Sequence, residues 1–327
     1  MKAYVLKQYG APDDALELRE IEKPIPKDDQ VLIRVRAAGL NAADWHLMRG
    51  DPYLVRLMLG VRKPKAGIVL GGALSGVVEA AGKTVTLFRK GDEVFAENDV
   101  SLLGAFGEYV CVPEKLLCTK PSNMTFEQAA AVPVSAPTAL QGIRDTAKVL
   151  PGQKVLINGA SGGVGTAAVQ IAKAMGAEVT AVCSTKNLEL VQSLGADHAI
   201  DYTVEDFTKS DKKYDVVMDI VTTHPIAACC QVLTPKGIYV GAGGLGRGVW
   251  IGKTWDHLMA KLNPFNRRRI AIIINLASSK YLNDLKDLIE AEKFVSPIEK
   301  SYTFDQVPAA LKYLEEGHVR GKVVVTI

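Results

Sequence analysis

The chain has 327 residues, 48% of them hydrophobic and 23% charged, with a net charge of +3. That length suffices for two domains with sizeable cores, and the composition is that of a soluble globular protein. The small charge excludes the basic footprint of a nucleic-acid binder, and no apolar run is long enough for stable membrane insertion.

Residues 1–7 open the chain as a strand, without a signal-peptide pattern. Residues 31–36 alternate, with Val31, Ile33 and Val35 on one face and Leu32, Arg34 and Arg36 on the other. Further short strands punctuated by glycine occupy 70–79, 91–95 and 107–112. This rhythm predicts a barrel-like β domain. It changes near Thr125, where 126–131 and 136–147 read as helices. From Lys154 strands and helices alternate: strand 155–158, helix 164–175, strand 178–183, helix 186–194, strands 199–200 and 214–218, helix 225–233 and strand 237–240. The alternation predicts a parallel doubly wound sheet. The segment 246–269 carries Trp250, Trp255, Phe265 and the run Arg267 to Arg269. It is amphipathic, and a lid over a lipophilic acceptor, a membrane-surface contact and a core helix with a charged turn all fit it. A strand at 270–274, helices at 282–291 and 304–316 and a strand at 322–327 close the chain.

Five cysteines, Cys111, Cys118, Cys183, Cys229 and Cys230, lack Cys-x-x-Cys spacing, which points to a reducing compartment and a cytoplasmic protein. A bridge between the neighbours Cys229 and Cys230 would be strained, so they read as buried thiols on a helix.

The stretch Lys154-Val-Leu-Ile-Asn-Gly-Ala-Ser-Gly-Gly-Val-Gly165 carries the strongest chemical signal. Val155 to Ile157 form a buried parallel strand. Gly159, Gly162 and Gly165 then let the chain turn tightly and let a ligand approach the backbone. Ser161, Gly163 and Val164 complete the turn. Free N–H groups and the dipole at the helix start make an anion site, the phosphate cradle of a dinucleotide fold. An NAD site places Asp or Glu about 20 residues past this loop to hold the ribose. Here the next strand ends in Cys183-Ser-Thr-Lys-Asn187. Ser184 and Lys186 attract a 2′-phosphate, and no acid repels it. NADPH (NADP+) is the cofactor this run favours.

Taken together, the chain resembles a zinc-free member of the medium-chain dehydrogenase/reductase superfamily, in its quinone oxidoreductase branch. The matching pieces are Gly39-Leu-Asn-Ala-Ala-Asp44, Gly82, Gly91-Asp-Glu-Val94, Ala129-Ala-Ala-Val-Pro133, Thr138-Ala139, the glycine loop, Leu194-Gly-Ala-Asp-His198, and Gly317 with Gly321-Lys322. The resemblance implies an α/β protein. A GroES-like, β-rich catalytic domain spans 1–124 and 275–327, and an NADPH-binding Rossmann domain spans 125–274. It also implies that Asn41 and Asp44 line the nicotinamide cleft, that Thr138 adjoins the nicotinamide or its ribose, that Tyr202 packs near the 2′-phosphate and that Lys322 reaches the cofactor. Val240, Gly241 and Gly243 lie in a glycine-rich turn whose backbone can approach the nicotinamide ring. By resemblance, the strand at 270–274 joins two copies into a homodimer. Tyr53 is the candidate donor to the substrate oxygen, with His46 as a second candidate. Local packing is the competing reading for both.

A catalytic zinc needs Cys and His ligands, and a structural zinc needs four closely spaced cysteines. Neither set is present, and the segment that would hold Gly-His-Glu reads Gly71-Gly-Ala73. Without a metal to polarise an alkoxide, alcohol oxidation fits poorly. A quinone or α,β-unsaturated carbonyl spreads its developing charge, and hydrogen bonds then suffice to stabilise it. No tyrosine has lysine four residues on, which sets aside a short-chain dehydrogenase. The sequence therefore predicts a zinc-independent NADPH reductase of lipophilic quinones or enones. Two alternatives stay open: an enoyl-thioester reductase, and a non-catalytic NADPH-binding structural or sensor protein. Ala73 replaces an Asp common in the family, and Thr222 stands in a turn that usually holds glycine.

Overall fold

The computed structural model describes residues 1–98, 103–242, 269–273, 275 and 277–327. Gly243 and most of the amphipathic segment 246–269 fall outside the described residues.

Strands β1 (Lys2–Leu6) and β2 (Leu16–Glu20) pair antiparallel. β3 (Gln30–Gly39) shows the expected alternation in its middle, with Ile33 and Val35 buried and Arg34 and Arg36 exposed. Leu32 is buried as well, because the first half of β3 is covered on both faces. β4 (Ala73–Ala81), β5 (Glu93–Glu97), β6 (Tyr109–Pro113) and β7 (Leu117–Thr119) follow.

The chain next forms β8 (Lys154–Asn158), β9 (Glu178–Cys183), β10 (His198–Asp201), β11 (Tyr214–Asp219), β12 (Leu233–Gly241) and β13 (Arg269–Ile272). All adjacent pairs are parallel, in the order β10-β9-β8-β11-β12-β13. This is the doubly wound order, with its switch point between β8 and β11, where ligands collect at the carboxyl ends of the strands. Val155, Leu156 and Ile157 are fully buried, as a parallel strand covered on both faces requires. Leu156, Val182, Phe207, Val217 and Tyr239 share the core beneath the sheet. Cys229 and Cys230 are buried free thiols on the helix Ile226–Gln231.

β14 (Ile298–Thr303) and β15 (Lys322–Thr326) return to the first sheet, whose order is β14-β15-β3-β4-β5-β7 with β6 also on β3. β15 runs antiparallel to β3, placing Val324 opposite Gly39. The backbone N–H of Leu40 donates to Val323 O at 2.9 Å, so Lys322 arrives beside Asn41 from the far end of the chain.

Two compact units result. One is Met1–Pro137 with Leu276–Glu292 and Ser296–Ile327; the other is Thr138–Asn275 with Lys293–Val295. The first unit therefore extends past the 124/125 boundary expected from composition. The helix Phe126–Ala130 packs on β3 and β4: Ser75 Oγ donates to Phe126 O at 2.6 Å, and a Cβ on Gly39 would sit 2.0 Å from Ala130 O. The helix expected at 136–147 is α-helical over Ser135–Leu140 and π-helical over Gln141–Thr146. Among the described residues, no helix is long and apolar enough to cross a membrane.

Candidate active site

In the second unit, three glycines of the loop after β8 play different parts. Gly159 adopts a φ of +85°, and a Cβ there would lie 2.8 Å from Val221 Cγ1. At Gly165 a Cβ would sit 2.1 Å from Gly159 O and 2.6 Å from Ala160 backbone, so the helix can approach the strand only without a side chain. Gly162 differs from both. It is the N-cap of the helix Gly163–Ala174, and a Cβ there would meet nothing nearer than 3.8 Å. No side chain caps this helix end. Ser161, Gly162, Gly163 and Val164 are half-buried at this helix start, whose first N–H groups stabilise an anion.

β9 delivers the neighbouring residues. Ser184 is half-buried and Lys186 is exposed. Asn187 is only 4% exposed, and its Nδ2 donates to Ser161 Oγ at 3.0 Å and Ser184 Oγ at 3.2 Å. It thereby ties the glycine loop to the end of β9. Its Oδ1 is buried and has no hydrogen-bond partner. Tyr202 donates its backbone N–H to Cys183 O at 3.0 Å and leaves its side chain 54% exposed. Asp201 stands next to it, but Thr185 and Thr203 engage its carboxylate and hold its pKa below the usual range. The open cradle at Gly162 and the unmet Asn187 Oδ1 both fit a bound dinucleotide.

Across the switch point, Asp219 ends β11 fully buried. Asn158 Nδ2 and the Thr222 N–H donate to its Oδ1 at 2.9 Å each, and Tyr239 Oη donates to its Oδ2 at 2.9 Å. One carboxylate thus joins the carboxyl ends of β8 and β11 to the body of β12. Thr222 has a φ of +49°, a region where a β-branched residue is strained and glycine is not. Val240 and Gly241 end β12 buried, and Thr138 is buried in the helix Ser135–Leu140.

In the first unit, Asn41 caps the helix Ala42–Arg49, which Gly50 ends at a φ of +59°. Asp44 is buried on the first turn. Its carboxylate accepts the Asn41 N–H at 2.8 Å and hydrogen bonds from the backbone of Gly72 and Gly71. Lys322, 3% exposed, donates from Nζ to Leu40 O at 2.7 Å, Asn41 Oδ1 at 2.5 Å and Ser135 Oγ at 3.1 Å. Ser135 Oγ also donates to Asn41 Oδ1 at 3.2 Å, and Asn41 Nδ2 donates to Gly39 O at 3.1 Å. The Asn41 carboxamide is thus fixed in orientation. Burial lifts the Asp44 pKa to about 6, against the pull of its backbone donors and Lys322. Burial lowers the Lys322 pKa to about 8, with Asp44 and Glu97 opposing.

Asn41, Asp44 and Lys322 therefore come together in one unit, and Ser161 and Ser184 come together in the other. Lys322 directs its ammonium to Leu40, Asn41 and Ser135. Tyr53 is 39% exposed, with the Arg56 guanidinium 4.7 Å from its ring centroid. His46 is buried, its Nδ1 donating to the Asp51 carbonyl at 2.9 Å and its ring stacked on Trp45. Ser135 and Asn187 escaped the sequence reading. Asn187 sits inside the polar run after β9, but only its burial separates it from the exposed Lys186. Among the described residues, no cluster of three His, Cys, Asp or Glu could hold a metal ion.

Comparison with known proteins gives this geometry a context. Residues 27–122 match the alcohol dehydrogenase GroES-like domain family, and residues 194–325 match the zinc-binding dehydrogenase family. The mouse (Mus musculus) mitochondrial NAD(P)H oxidoreductase RTN4IP1 is 34% identical, with 100% of this chain and 89% of the relative covered. The chloroplastic NADPH-dependent alkenal/one oxidoreductase of Arabidopsis thaliana is 34% identical over 99% of this chain and 79% of its own length. The solved quinone oxidoreductase from Coxiella burnetii superposes with a TM-score of 0.89 at 30% identity, covering 100% of this chain and 99% of the other. The CurK enoyl reductase superposes with a TM-score of 0.85 at 27% identity, covering 99% and 98%.

Proposed function

We propose that this chain, which belongs to the zinc-free, quinone oxidoreductase-like branch of the medium-chain dehydrogenase/reductase superfamily, is an NADPH-dependent reductase of conjugated carbonyl compounds. Its acceptors are lipophilic quinones or α,β-unsaturated carbonyls such as 2-alkenals, and it works without a metal. The observation that supports this reading is the uncapped helix start at Gly162, where no atom comes closer than 3.8 Å to a Cβ, with the Ser161 and Ser184 hydroxyls held by Asn187.

In this reading the glycine loop and the start of the helix Gly163–Ala174 hold the pyrophosphate. Ser184 and Lys186 face the 2′-phosphate, with Tyr202 beside it. Thr138, Val240 and Gly241 flank the nicotinamide. The bound cofactor supplies a hydride. Asn41 presents a carboxamide whose orientation Lys322 and Ser135 have already fixed, so no reorganisation is needed when charge develops. Asp44 and Lys322 are positioning residues that act through Asn41, and Tyr53 donates to the acceptor oxygen. Conjugation spreads the negative charge over the acceptor, and the last proton comes from solvent. Among the described residues β13 is an edge of its sheet, and pairing of two such edges gives a homodimer. The five free cysteines suit the cytoplasm.

The test is steady-state oxidation of NADPH and NADH by the purified chain, with quinones, 2-alkenals and an enoyl thioester, with and without a chelator. NADPH-selective turnover of quinones or alkenals that survives the chelator is the expected result. Turnover of the thioester alone would favour the enoyl reductase reading, which the likeness to CurK supports. Tight NADPH binding with no turnover of any acceptor would assign a non-catalytic role.

A further inference from the structure

We infer that Asn187 sets the nucleotide preference of the site. It turns the Ser161 and Ser184 hydroxyls outward as donors to the adenosine phosphate and offers its own Oδ1 to a ribose hydroxyl. This rests on the NADPH reading above and adds a residue to it.

A primary amide has two hydrogens, and Asn187 gives one to Ser161 Oγ at 3.0 Å and one to Ser184 Oγ at 3.2 Å. A serine hydroxyl has one hydrogen and two lone pairs. Each hydroxyl that accepts from Asn187 keeps its hydrogen for another partner. Among the described residues, neither serine donates that hydrogen to a protein acceptor. The pair therefore stands as two oriented donors, one on the glycine loop next to Gly162 and one at the end of β9. Two convergent donors suit phosphate oxygens, which only accept.

The third element is the amide oxygen. Asn187 is 4% exposed, and its Oδ1 is buried without a partner. A buried acceptor left unmet costs stability, and native proteins keep such groups where something else supplies the partner. Oδ1 cannot bond an ionised phosphate oxygen, because both only accept. A sugar hydroxyl can donate to it. One side chain thus sorts the two groups of a phosphorylated ribose: the phosphate goes to the serines and the hydroxyl to the amide oxygen. A carboxylate in the same place would invert this arrangement. It accepts only, so both serine hydroxyls would turn inward, and its charge would repel a phosphate and suit an unmodified ribose.

The test is fluorescence titration of the full chain with NADPH and with NADH, for wild type, Asn187→Ala, Asn187→Asp and the double variant Ser161→Ala/Ser184→Ala. Thermal midpoints of the ligand-free proteins are measured alongside. The wild type is expected to bind NADPH at least about tenfold tighter than NADH. Asn187→Ala should lose about tenfold towards NADPH and about threefold towards NADH. Asn187→Asp should bind NADH the more tightly of the two. The serine double variant keeps Asn187 and should lose NADPH affinity selectively, which keeps the test decisive if an Asn187 variant fails to fold. An unchanged NADPH-to-NADH ratio in all variants, or an equal loss for both nucleotides, overturns the inference while the cofactor reading stands. A wild type without preference for NADPH overturns the cofactor reading, and the inference with it.

Discussion

In the first unit, Lys322 commits its ammonium to Leu40, Asn41 and Ser135, and Asp44 commits its carboxylate to Asn41 and the Gly71–Gly72 backbone. In the second, Asn187 leaves an oxygen unmet, two serines keep their hydroxyl hydrogens and Gly162 leaves a space that a side chain could fill. Both clusters are polar and are built on buried side chains, Asn41, Asp44 and Lys322 in the first and Asn187 in the second. The first is closed but for the second Nδ2 hydrogen of Asn41: its other groups satisfy one another and fix the shape of the loop that begins at Asn41. The second is open, and its unused donors and acceptor await a ligand. Burial alone therefore does not mark a binding site. The accounting of hydrogen bonds does.

The sharpest way to break this contrast lies within the glycine loop itself. Gly165→Val should abolish folding of the second unit, because its Cβ would meet Gly159 and Ala160 backbone atoms that cannot yield. Gly162→Val should fold with a near-normal thermal midpoint, since nothing lies within 3.8 Å of a Cβ there. It should nonetheless lose about a hundredfold or more in NADPH affinity, because the side chain fills the phosphate space. Calorimetry and nucleotide titration of the two variants separate fold from ligand. Equal behaviour would remove the distinction between the glycines.

Smaller effects follow. Tyr53→Phe should lower kcat by about tenfold and leave NADPH affinity unchanged; a hydroxyl this exposed gives less than an enclosed oxyanion donor. Unchanged kcat removes Tyr53 from the mechanism. Lys186→Ala should weaken NADPH by about fivefold and spare NADH, the modest loss expected when an exposed charge leaves a phosphate. Equal losses would contradict a role at the 2′-phosphate.

The closed cluster should show itself in the pH dependence of stability. Burial raises the Asp44 pKa from 3.8 to about 6, so the folded state holds its proton longer than the unfolded chain does. Stability is then lost as pH rises between these values. Lys322 is lowered from 10.5 to about 8, and stability returns as pH rises through that window. Thermal midpoints should pass through a shallow floor between the two windows, a few degrees deep. Asp44→Asn should remove the acidic slope, whereas a slope that persists in that variant would assign it to other groups.

The sequence makes the open cluster partly legible and the closed one hardly at all. β8, the glycines and the helix Gly163–Ala174 are contiguous, so their strand–turn–helix rhythm can be read directly. So can β9 and the polar run after it. Asn187 stays hidden in that run because only the fold shows that it turns inward while Lys186 turns out. Lys322 and Asn41 lie 281 residues apart, and no local pattern announces that β15 sets one beside the other. The resemblance names both residues but does not show that they bond each other. β14 is also missed by pattern reading, because Ile298–Thr303 is largely exposed and carries no apolar alternation. The helix Ala42–Arg49 has legible signals in retrospect: Asn41 at its start, Asp44 on the first turn and Gly50 at its end.

The central claim is hydride delivery from NADPH to a conjugated acceptor, and isotope transfer tests it most directly. NADPH carrying deuterium at the reactive nicotinamide carbon would be turned over with a 2-alkenal, and the product analysed by mass spectrometry and NMR. The account predicts deuterium at the β-carbon of a saturated aldehyde, with the α-hydrogen drawn from solvent. Deuterium at the carbonyl carbon of an allylic alcohol, or none in the product, would contradict it.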